Sequence, residues 1–202
     1  MKIDFSFVPN HYGPRTHEKM KEVLMDPNGV GPAIHYYMIR GGVNQKNITI
    51  WEPGTINGEY IKTYGHYHVG KLDETYWILY GLGVGLEQTL VLDDKGNMIA
   101  DRVAEFKATP VRAGDNIYFA SGHGHLFANV GKTYFVTADN SPVNFEKKDK
   151  ASLPGHADYS LVQKMRGFAY YVVEHNGKPA LVRNKNYKEI KKQDLGGLTV
   201  VD

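Results

Sequence analysis

Apolar residues recur along this chain with two different periods, and the change of period divides the sequence. Near the start, Met20, Val23 and Leu24 are spaced as on one face of a helix, and Thr16 is placed to cap its N-terminus. The run Asp26-Pro27-Asn28-Gly29 ends this helix, because proline and glycine disfavour its continuation. The pattern therefore predicts one short helix ahead of the first strand.

From Ala33 to about Thr137 the apolar residues alternate with polar ones, which is the period of a β-strand. Turn residues such as Asn57-Gly58 and Gly114-Asp115 separate short segments that are rich in aromatic and β-branched side chains. Many short strands without intervening helices are typical of an all-β sandwich or barrel. The predicted strands are Ile34–Ile39, Asn47–Trp51, Tyr60–His66, Thr75–Tyr80, Leu86–Leu92, Ile117–Phe119 and Thr133–Thr137.

The C-terminal part mixes both kinds of element. The polar stretch Asn140–Pro154 is expected to be a surface loop, and a short helix is predicted over Asp158–Gly167. Phe168–Glu174 and Pro179–Arg183 flank Asn176-Gly177, a dipeptide that favours a two-residue hairpin turn. We therefore expect a helix and a β-hairpin after the main run of strands.

Composition narrows the classes of function. The chain has 202 residues, a formal net charge of +2 and no cysteine. The balanced charge gives no general attraction for nucleic acid or an anionic membrane, and the lack of cysteine excludes disulfides, thiolate metal ligands and a cysteine nucleophile. No apolar run approaches the ~20 residues of a membrane span, and no secretory signal pattern is present. The expectation is a soluble cytoplasmic protein without a nucleic-acid or membrane partner.

Histidine and glutamate residues form the first half of a candidate metal site. His66 and His68 are two residues apart, so in a strand their rings share one face. Five residues then suit a turn that brings Glu74 back beside them, at the start of the next strand. Glu74, Tyr76, Ile78 and Tyr80 are predicted to share the inward face of that strand.

A third histidine completes the candidate site. His125 follows a glycine-marked strand, and His123, two residues earlier, is the alternative ligand. Imidazole nitrogen and carboxylate oxygen together suit iron, manganese, nickel, cobalt or zinc. Three histidines and one glutamate leave a coordination position open on a five- or six-coordinate ion, as catalysis at a metal requires.

Both halves of this pattern resemble the cupin superfamily. The His-x-His pair, Glu74 and Gly81 are similar to the first cupin motif, and the segment from Gly114 to Asn129 is similar to the second. The resemblance implies a double-stranded β-helix, the cupin or jelly-roll barrel, with a short N-terminal helix and flanking C-terminal strands. It also implies a single domain over residues 1–202, with a barrel core at about 33–140 and an extension at about 155–202. The implied ligands of one divalent metal ion are His66, His68, Glu74 and His125.

A narrower resemblance is to the cupin-type phosphoglucose isomerases. Thr63–His68 followed by Lys71–Tyr76 is similar to their T-x-G-H-[FY]-H run and the K-L-D segment after it, with a shorter spacing to the glutamate. The resemblance implies interconversion of glucose 6-phosphate and fructose 6-phosphate, with Glu74 as the base that moves a proton between C1 and C2. It implies Fe2+ first, with Mn2+, Ni2+, Co2+ or Zn2+ as alternatives, and a homodimer. The implied contacts to the phosphorylated hexose are Thr49, Thr63, Gly65, Tyr76, His156 and Tyr159.

Several alternatives stay open at this point. A metal-assisted hydride shift is the rival to proton transfer by Glu74. A metal-dependent cupin dioxygenase would consume oxygen, and a non-enzymatic sugar-binding cupin would bind sugar without turnover. His35 is a further candidate for the pocket, whereas His11, His17 and His175 are expected to be solvated.

Overall fold

Strands dominate the computed structural model, which describes residues 12–41, 47–142 and 157–202. The first eight strands are β1 (Tyr12–Thr16), β2 (Ile34–Ile39), β3 (Asn47–Trp51), β4 (Thr55–Ile56), β5 (Glu59–Tyr60), β6 (Tyr67–His68), β7 (Glu74–Tyr80) and β8 (Leu82–Leu92). They are followed by β9 (Met98–Arg112), β10 (Asn116–Phe119), β11 (Gly124–Asn129), β12 (Phe135–Asp139), β13 (Ala157–Asp158), β14 (Tyr170–His175), β15 (Lys178–Arg183), β16 (Glu189–Asp194) and β17 (Val200–Val201). The two helices are α1 (His17–Met20) and α2 (Ser160–Met165).

Two sheets form the body of the fold. One has the strand order β1-β2-β3-β12-β7-β10 and the other the order β11-β8-β9-β16. Apart from β16, which runs parallel to β9, their strands pair antiparallel. The rings of Trp51 on β3 and Phe127 on β11 lie 6.2 Å apart, and side chains of both sheets belong to one buried cluster. The predicted all-β barrel of the cupin class is confirmed.

A third sheet carries the C-terminal hairpin. Its order is β17-β15-β14-β5-β4, and β14 and β15 pair antiparallel around Asn176 and Gly177. Both turn residues have positive φ, 53° and 75°, which is the conformation that a tight hairpin turn requires. The predicted hairpin is therefore present.

One buried amide joins the C-terminal part to the barrel. Gln88 on β8 is 1% exposed; its Nε2 donates to the hydroxyls of Tyr67 at 2.8 Å and Tyr187 at 3.0 Å. Its Oε1 accepts a hydrogen bond of 3.0 Å from the Ala169 N–H. Buried polar groups need partners, and here the partners of one side chain come from three separate segments.

Helix α1 begins where the sequence predicts and ends earlier, and α2 is shorter than predicted at both ends. The Thr16 hydroxyl accepts a hydrogen bond from the Lys19 N–H, as an N-cap does, but α1 ends at Met20. Val23 and Leu24 follow the end of the helix and are still buried. Their spacing therefore predicted correctly that they are buried, but not that the helix ends before them. The second helix, α2, is likewise shorter than its predicted range. No helix among the described residues is long and apolar enough to cross a membrane.

Two strand predictions are wrong in detail. Most of the predicted strand Tyr60–His66 is irregular, because between β5 and β6 the chain pairs only through isolated bridges, Lys62 with Ala128 and His66 with His125. Tyr80 was expected to face inward but is 53% exposed. The pairing of β7 with β12 shifts register between Val136 and Thr137, so the alternation that holds up to Ile78 is broken before Tyr80. Most of the predicted loop Asn140–Pro154 lies outside the described residues.

Candidate metal centre and substrate cavity

Four side chains converge on one point inside the barrel. His66, His68, Glu74 and His125 each offer one ligand atom, and these atoms all lie within 4.8 Å of one another. Oε2 of Glu74 is 2.6 Å from Nε2 of His68 and 2.9 Å from Nε2 of His125. The side chains of His68, Glu74 and His125 are 6%, 2% and 3% exposed. These three side chains are therefore buried, whereas His66 is partly exposed at the cavity.

The backbone explains why these residues meet. His66 forms an isolated antiparallel bridge with His125, which is the second residue of β11. Gly65, just before His66, has φ +81° and has no room for a side chain, since a Cβ would lie 2.8 Å from the Phe168 ring. Glu74 is the first residue of β7 and pairs with Phe119 of β10. The predicted turn between His68 and Glu74 therefore returns the carboxylate to the histidines.

The electrostatics of the cluster favour an ionised Glu74 and a neutral His66 ring. Burial alone would raise the pKa of Glu74, but hydrogen bonds from His125 and His68 and the charges of His125 and His66 outweigh it and lower that pKa. Burial, followed by the charges of His125 and His68, holds the pKa of His66 well below its usual value. At neutral pH Glu74 is thus a carboxylate, and the His66 ring keeps a free lone pair.

The donor set fits a divalent transition metal. Donor atoms bound at 2.0–2.2 Å to one ion lie about 3 to 4 Å apart, and the distances within the cluster are close to that range. Neutral imidazole and ionised carboxylate are the protonation states that metal ligands need. His123, the alternative ligand, lies outside the cluster, and its Nδ1 is 2.6 Å from Oε1 of Glu87.

A cavity opens beside this cluster, with about 440 Å³ of empty space including its mouth. The cavity is bounded by residues of β2, β3, β7, β11 and β12 and by the segment around Gly65. Its lining includes Tyr36, Met38, Arg40, Thr49, Trp51, Thr63, Gly65, His66, Tyr76, His125, Leu126, Phe127, Asp139 and Tyr159.

Five of the six residues implied as substrate contacts lie along this cavity, namely Thr49, Thr63, Gly65, Tyr76 and Tyr159. The sixth, His156, lies outside the described residues, as does His11. The Thr63 hydroxyl accepts a 3.0 Å hydrogen bond from the Phe127 N–H and is 3.4 Å from the Phe127 carbonyl oxygen. That second contact is long for a hydroxyl donor, so the proton of Thr63 can turn towards a ligand. The role of these residues in binding stays a prediction.

The structure also corrects the assignment of two histidines. His35 is fully buried, but it does not line the cavity; its Nε2 is 2.9 Å from Nδ1 of His17. His17, expected to be solvated, is held on its other nitrogen by the Gly29 carbonyl at 2.9 Å. The pair joins α1 to β2 on the face of the strand that points away from Tyr36 and the cavity. His175 is exposed, as predicted.

Sequence reasoning missed two charged residues of the cavity. Arg40 and Asp139 line it, and Nη1 of Arg40 lies 3.8 Å from Oδ2 of Asp139. Arg40 could have been found from the alternation of Tyr36, Met38 and Arg40, which places all three on one face of β2 and its continuation. Asp139 gave no such signal, because a strand-terminal aspartate is usually solvated, whereas this one is 1% exposed.

Comparison with known proteins agrees with this geometry. The family described as Glucose-6-phosphate isomerase (GPI) matches residues 36–190. A glucose-6-phosphate isomerase of Pyrococcus abyssi is 28% identical over 141 residues, which are 69% of this chain and 62% of that protein. One from Thermococcus onnurineus is 30% identical over 142 residues, with the same coverage of 69% and 62%. The match thus spans less than two thirds of the length of these relatives.

Among solved structures, a predicted oxalate decarboxylase of Thermotoga maritima matches 69% of this chain and 96% of its own, at 19% identity and a TM-score of 0.38. That value indicates only a loose resemblance, so the fold assignment rests on the strand topology. The family match covers more than half of the chain and includes all four residues of the metal cluster. This chain belongs to the glucose-6-phosphate isomerase (GPI) family.

Proposed function

We propose that this protein is a metal-dependent isomerase that interconverts glucose 6-phosphate and fructose 6-phosphate. The observation that carries the proposal is the His66, His68, Glu74 and His125 cluster at the wall of the cavity. Membership of the family supports the reaction. The proposal includes Fe2+ as the first candidate metal, a homodimer, and a single domain over the chain.

An aldose–ketose isomerase needs a base at the carbon and an electrophile at the carbonyl oxygen. The bound metal, held by the four-residue cluster, would supply the electrophile by polarising the substrate oxygens. Glu74 is ionised at neutral pH and would take the proton from one carbon of the sugar and return it to the next. Oε2 of Glu74 lies 2.6 Å from Nε2 of His68 and 2.9 Å from Nε2 of His125, so the metal would be held by all three groups together.

The remaining cavity residues bind and shield the sugar. Burial raises the pKa of Tyr76 well above its usual value, so its hydroxyl stays protonated and can donate a hydrogen bond. Thr63 and Thr49 offer hydroxyls, and the backbone at Gly65 can be approached closely because it has no Cβ. The rings of Trp51, Phe127 and Tyr159 close the walls and exclude water.

The test is a coupled assay for glucose 6-phosphate formed from fructose 6-phosphate. It is run before and after chelation, and then with Fe2+, Mn2+, Ni2+, Co2+ and Zn2+ added back separately. Activity that disappears with the chelator and returns with one metal is the expected result. No activity on protein shown to contain metal would contradict the proposal, and oxygen consumption by that sample would favour the dioxygenase.

A further inference from the structure

Arg40 is the one lysine or arginine side chain among the described residues that line the cavity. It follows Ile39, the last residue of β2, and lines the cavity together with Met38. Met38 pairs directly with Thr49 of β3. Arg40 is therefore the diagonal neighbour of Thr49 on the inward face, at a separation of about 7–8 Å that a long side chain spans.

Asp139 lies close to this guanidinium but does not form a hydrogen bond with it. Oδ1 of Asp139 accepts hydrogen bonds from Asn47 Nδ2 at 2.7 Å and from the Ser141 N–H at 3.0 Å, which fix the carboxylate. Its Oδ2 is 3.8 Å from Nη1 of Arg40, which is too long for a hydrogen bond. Asp139 thus orients Arg40 by charge without taking up its N–H groups in a hydrogen bond.

Among the residues that the structure describes, few acceptors compete for the N–H groups of Arg40. A guanidinium carries five N–H donors. Within the described part of the chain, the hydrogen bond of the Arg40 side chain goes from Nη2 to Sδ of Met38 at 3.3 Å, and a thioether is a weak acceptor. The side chain of Arg40 is 37% exposed, so a ligand in the cavity can reach it.

The charge of Arg40 also acts on the metal cluster. Burial is the main cause of the lowered pKa of His66 and the raised pKa of Tyr76. Arg40 adds to the first shift and opposes the second, as a nearby cation does. The guanidinium is therefore within electrostatic range of the site where the sugar would react.

We propose that Arg40 is a specificity-determining residue that binds the phosphate of a sugar phosphate in this cavity, with Asp139 as its positioning residue. The inference rests on the proposed function and names the group that selects a phosphorylated hexose over the free hexose. Arginine matches phosphate with two parallel hydrogen bonds, and the Thr49 hydroxyl lies beside it on the same face. Asp139 keeps the guanidinium from turning out to solvent.

The first experiment measures binding of glucitol 6-phosphate, which carries the phosphate but has no carbonyl to isomerise, to metal-loaded protein by calorimetry. Arg40→Met is expected to weaken binding by about 10- to 100-fold, as for the loss of charge-assisted hydrogen bonds. Arg40→Lys should weaken it less, because the charge stays but the paired geometry is lost. Arg102→Met, at an exposed position on β9, is the matched control and should bind as the wild type does.

Turnover of fructose 6-phosphate by the same samples separates this inference from the proposed function. Turnover with a KM unchanged by Arg40→Met would overturn the role of Arg40 and leave the isomerase standing. Binding of glucitol 6-phosphate that depends on Arg40, without turnover on any metal, would support Arg40 and contradict the isomerase. A wild-type protein that does not bind glucitol 6-phosphate would overturn the inference outright.

Asp139 is tested through its dependence on Arg40. Asp139→Asn keeps the size of the side chain and removes its charge, and should weaken binding of glucitol 6-phosphate several-fold. In the Arg40→Met background the same change should have no further effect, because a positioning residue acts only through the residue that it positions. Additive losses in the double variant would remove the positioning role.

Discussion

His66 and His125 exchange two backbone hydrogen bonds, one in each direction, at 3.3 and 3.1 Å. The two residues come from the two separate motifs of the barrel, and their rings meet edge to face with centroids 4.6 Å apart. Backbone pairing therefore sets the distance between two of the four proposed ligands before any ion binds. A site prepared in this way loses little conformational entropy when it takes up its metal.

The first prediction concerns which histidine is the fourth ligand. His125→Asn should reduce the bound metal, measured by elemental analysis, from about one ion per chain to a small fraction. The rise in melting temperature on adding metal should fall with it, because an ion that binds only the folded state stabilises that state. His123→Asn is the matched control, and a loss of metal in this variant instead would contradict the assignment.

The second prediction concerns the base. Glu74→Gln should lower kcat by about 10²- to 10⁴-fold, the usual contribution of a general base. Metal content must be measured on the same preparation, since Glu74 is also a predicted ligand. Glu87→Gln removes a comparable carboxylate, hydrogen-bonded to His123 at 2.6 Å, and should keep activity. Full activity of Glu74→Gln with its metal bound would exclude the role of base.

The third prediction concerns Thr63. Thr63→Val should raise the KM for fructose 6-phosphate by about 3- to 10-fold, as for one neutral hydrogen bond, while kcat changes less. The reason is that contacts to the phosphate are equally strong in the ground and transition states. Steady-state kinetics across a range of substrate concentrations measures both constants. An unchanged KM would place Thr63 outside the phosphate site.

The fourth prediction is a dependence of stability on pH through His35. Burial, with the charges of His17 and Lys62, lowers the pKa of His35 to about 4, against about 6.5 in the unfolded chain. The unfolded state therefore binds more protons between these values, so the contribution of His35 is complete above about pH 6.5. It is lost as the pH falls towards 4, by about 3 kcal/mol in total.

Urea unfolding of the wild type and of His35→Gln, at pH 7.5 and at pH 4.5, measures this effect. The drop in the free energy of unfolding between the two pH values should be smaller in the variant by 1 kcal/mol or more, on the order of the shift at His35. His175→Gln, at an exposed hairpin position, serves as the control. Equal drops in all three proteins would mean that His35 is not the titrating group.

The fifth prediction concerns a buried ion pair. Lys62 and Glu59 are 2% and 0% exposed, and Nζ of Lys62 lies 3.3 Å from Oε1 of Glu59. Lys62 donates to the Val23 carbonyl at 2.6 Å, and Glu59 accepts from the Met25 N–H at 2.7 Å, so the pair holds the turn after α1. Lys62→Met should cost about 3–5 kcal/mol of unfolding free energy, because it leaves a buried charge without its partner.

The double variant Lys62→Met/Glu59→Gln tests whether the unpaired carboxylate of Glu59 causes this loss of stability. It removes both charges, so it should be more stable in urea unfolding than Lys62→Met alone. A double variant that is less stable than the single one would show that the loss comes from packing rather than from the unpaired carboxylate.

Much of the barrel could be predicted from alternation and turn residues alone. The strands Ile34–Ile39 and Asn47–Trp51 have the predicted bounds, and the hairpin at Asn176-Gly177 is where its turn residues place it. Alternation failed at Tyr80, because the register shift between β7 and β12 depends on a partner strand that is distant in sequence. Periodicity within a strand carries no information about such a shift.

The residues of the metal cluster could be predicted from the sequence, whereas the charged pair across the cavity could not. His66, His68 and Glu74 are close in sequence, and one turn is enough to bring them together. Arg40 and Asp139 come from strands that are separated in the sheet by β3, and only the strand order places them together. The hydrogen bond between His17 and His35 is also set by packing of α1 against β2, which no local pattern indicates.

The amide of Gln88 has a consequence for shortening the chain. Its three partners are the hydroxyl of Tyr67, which stands between two ligand histidines, and two groups that lie beyond residue 160. A fragment that ended after β12 would leave the amide of Gln88 inside the barrel with one of its three hydrogen-bond partners. That partner is Tyr67, which lies between His66 and His68. The residues after β12 therefore support the segment that carries His66 and His68, and a shortened variant of this protein would have to keep them.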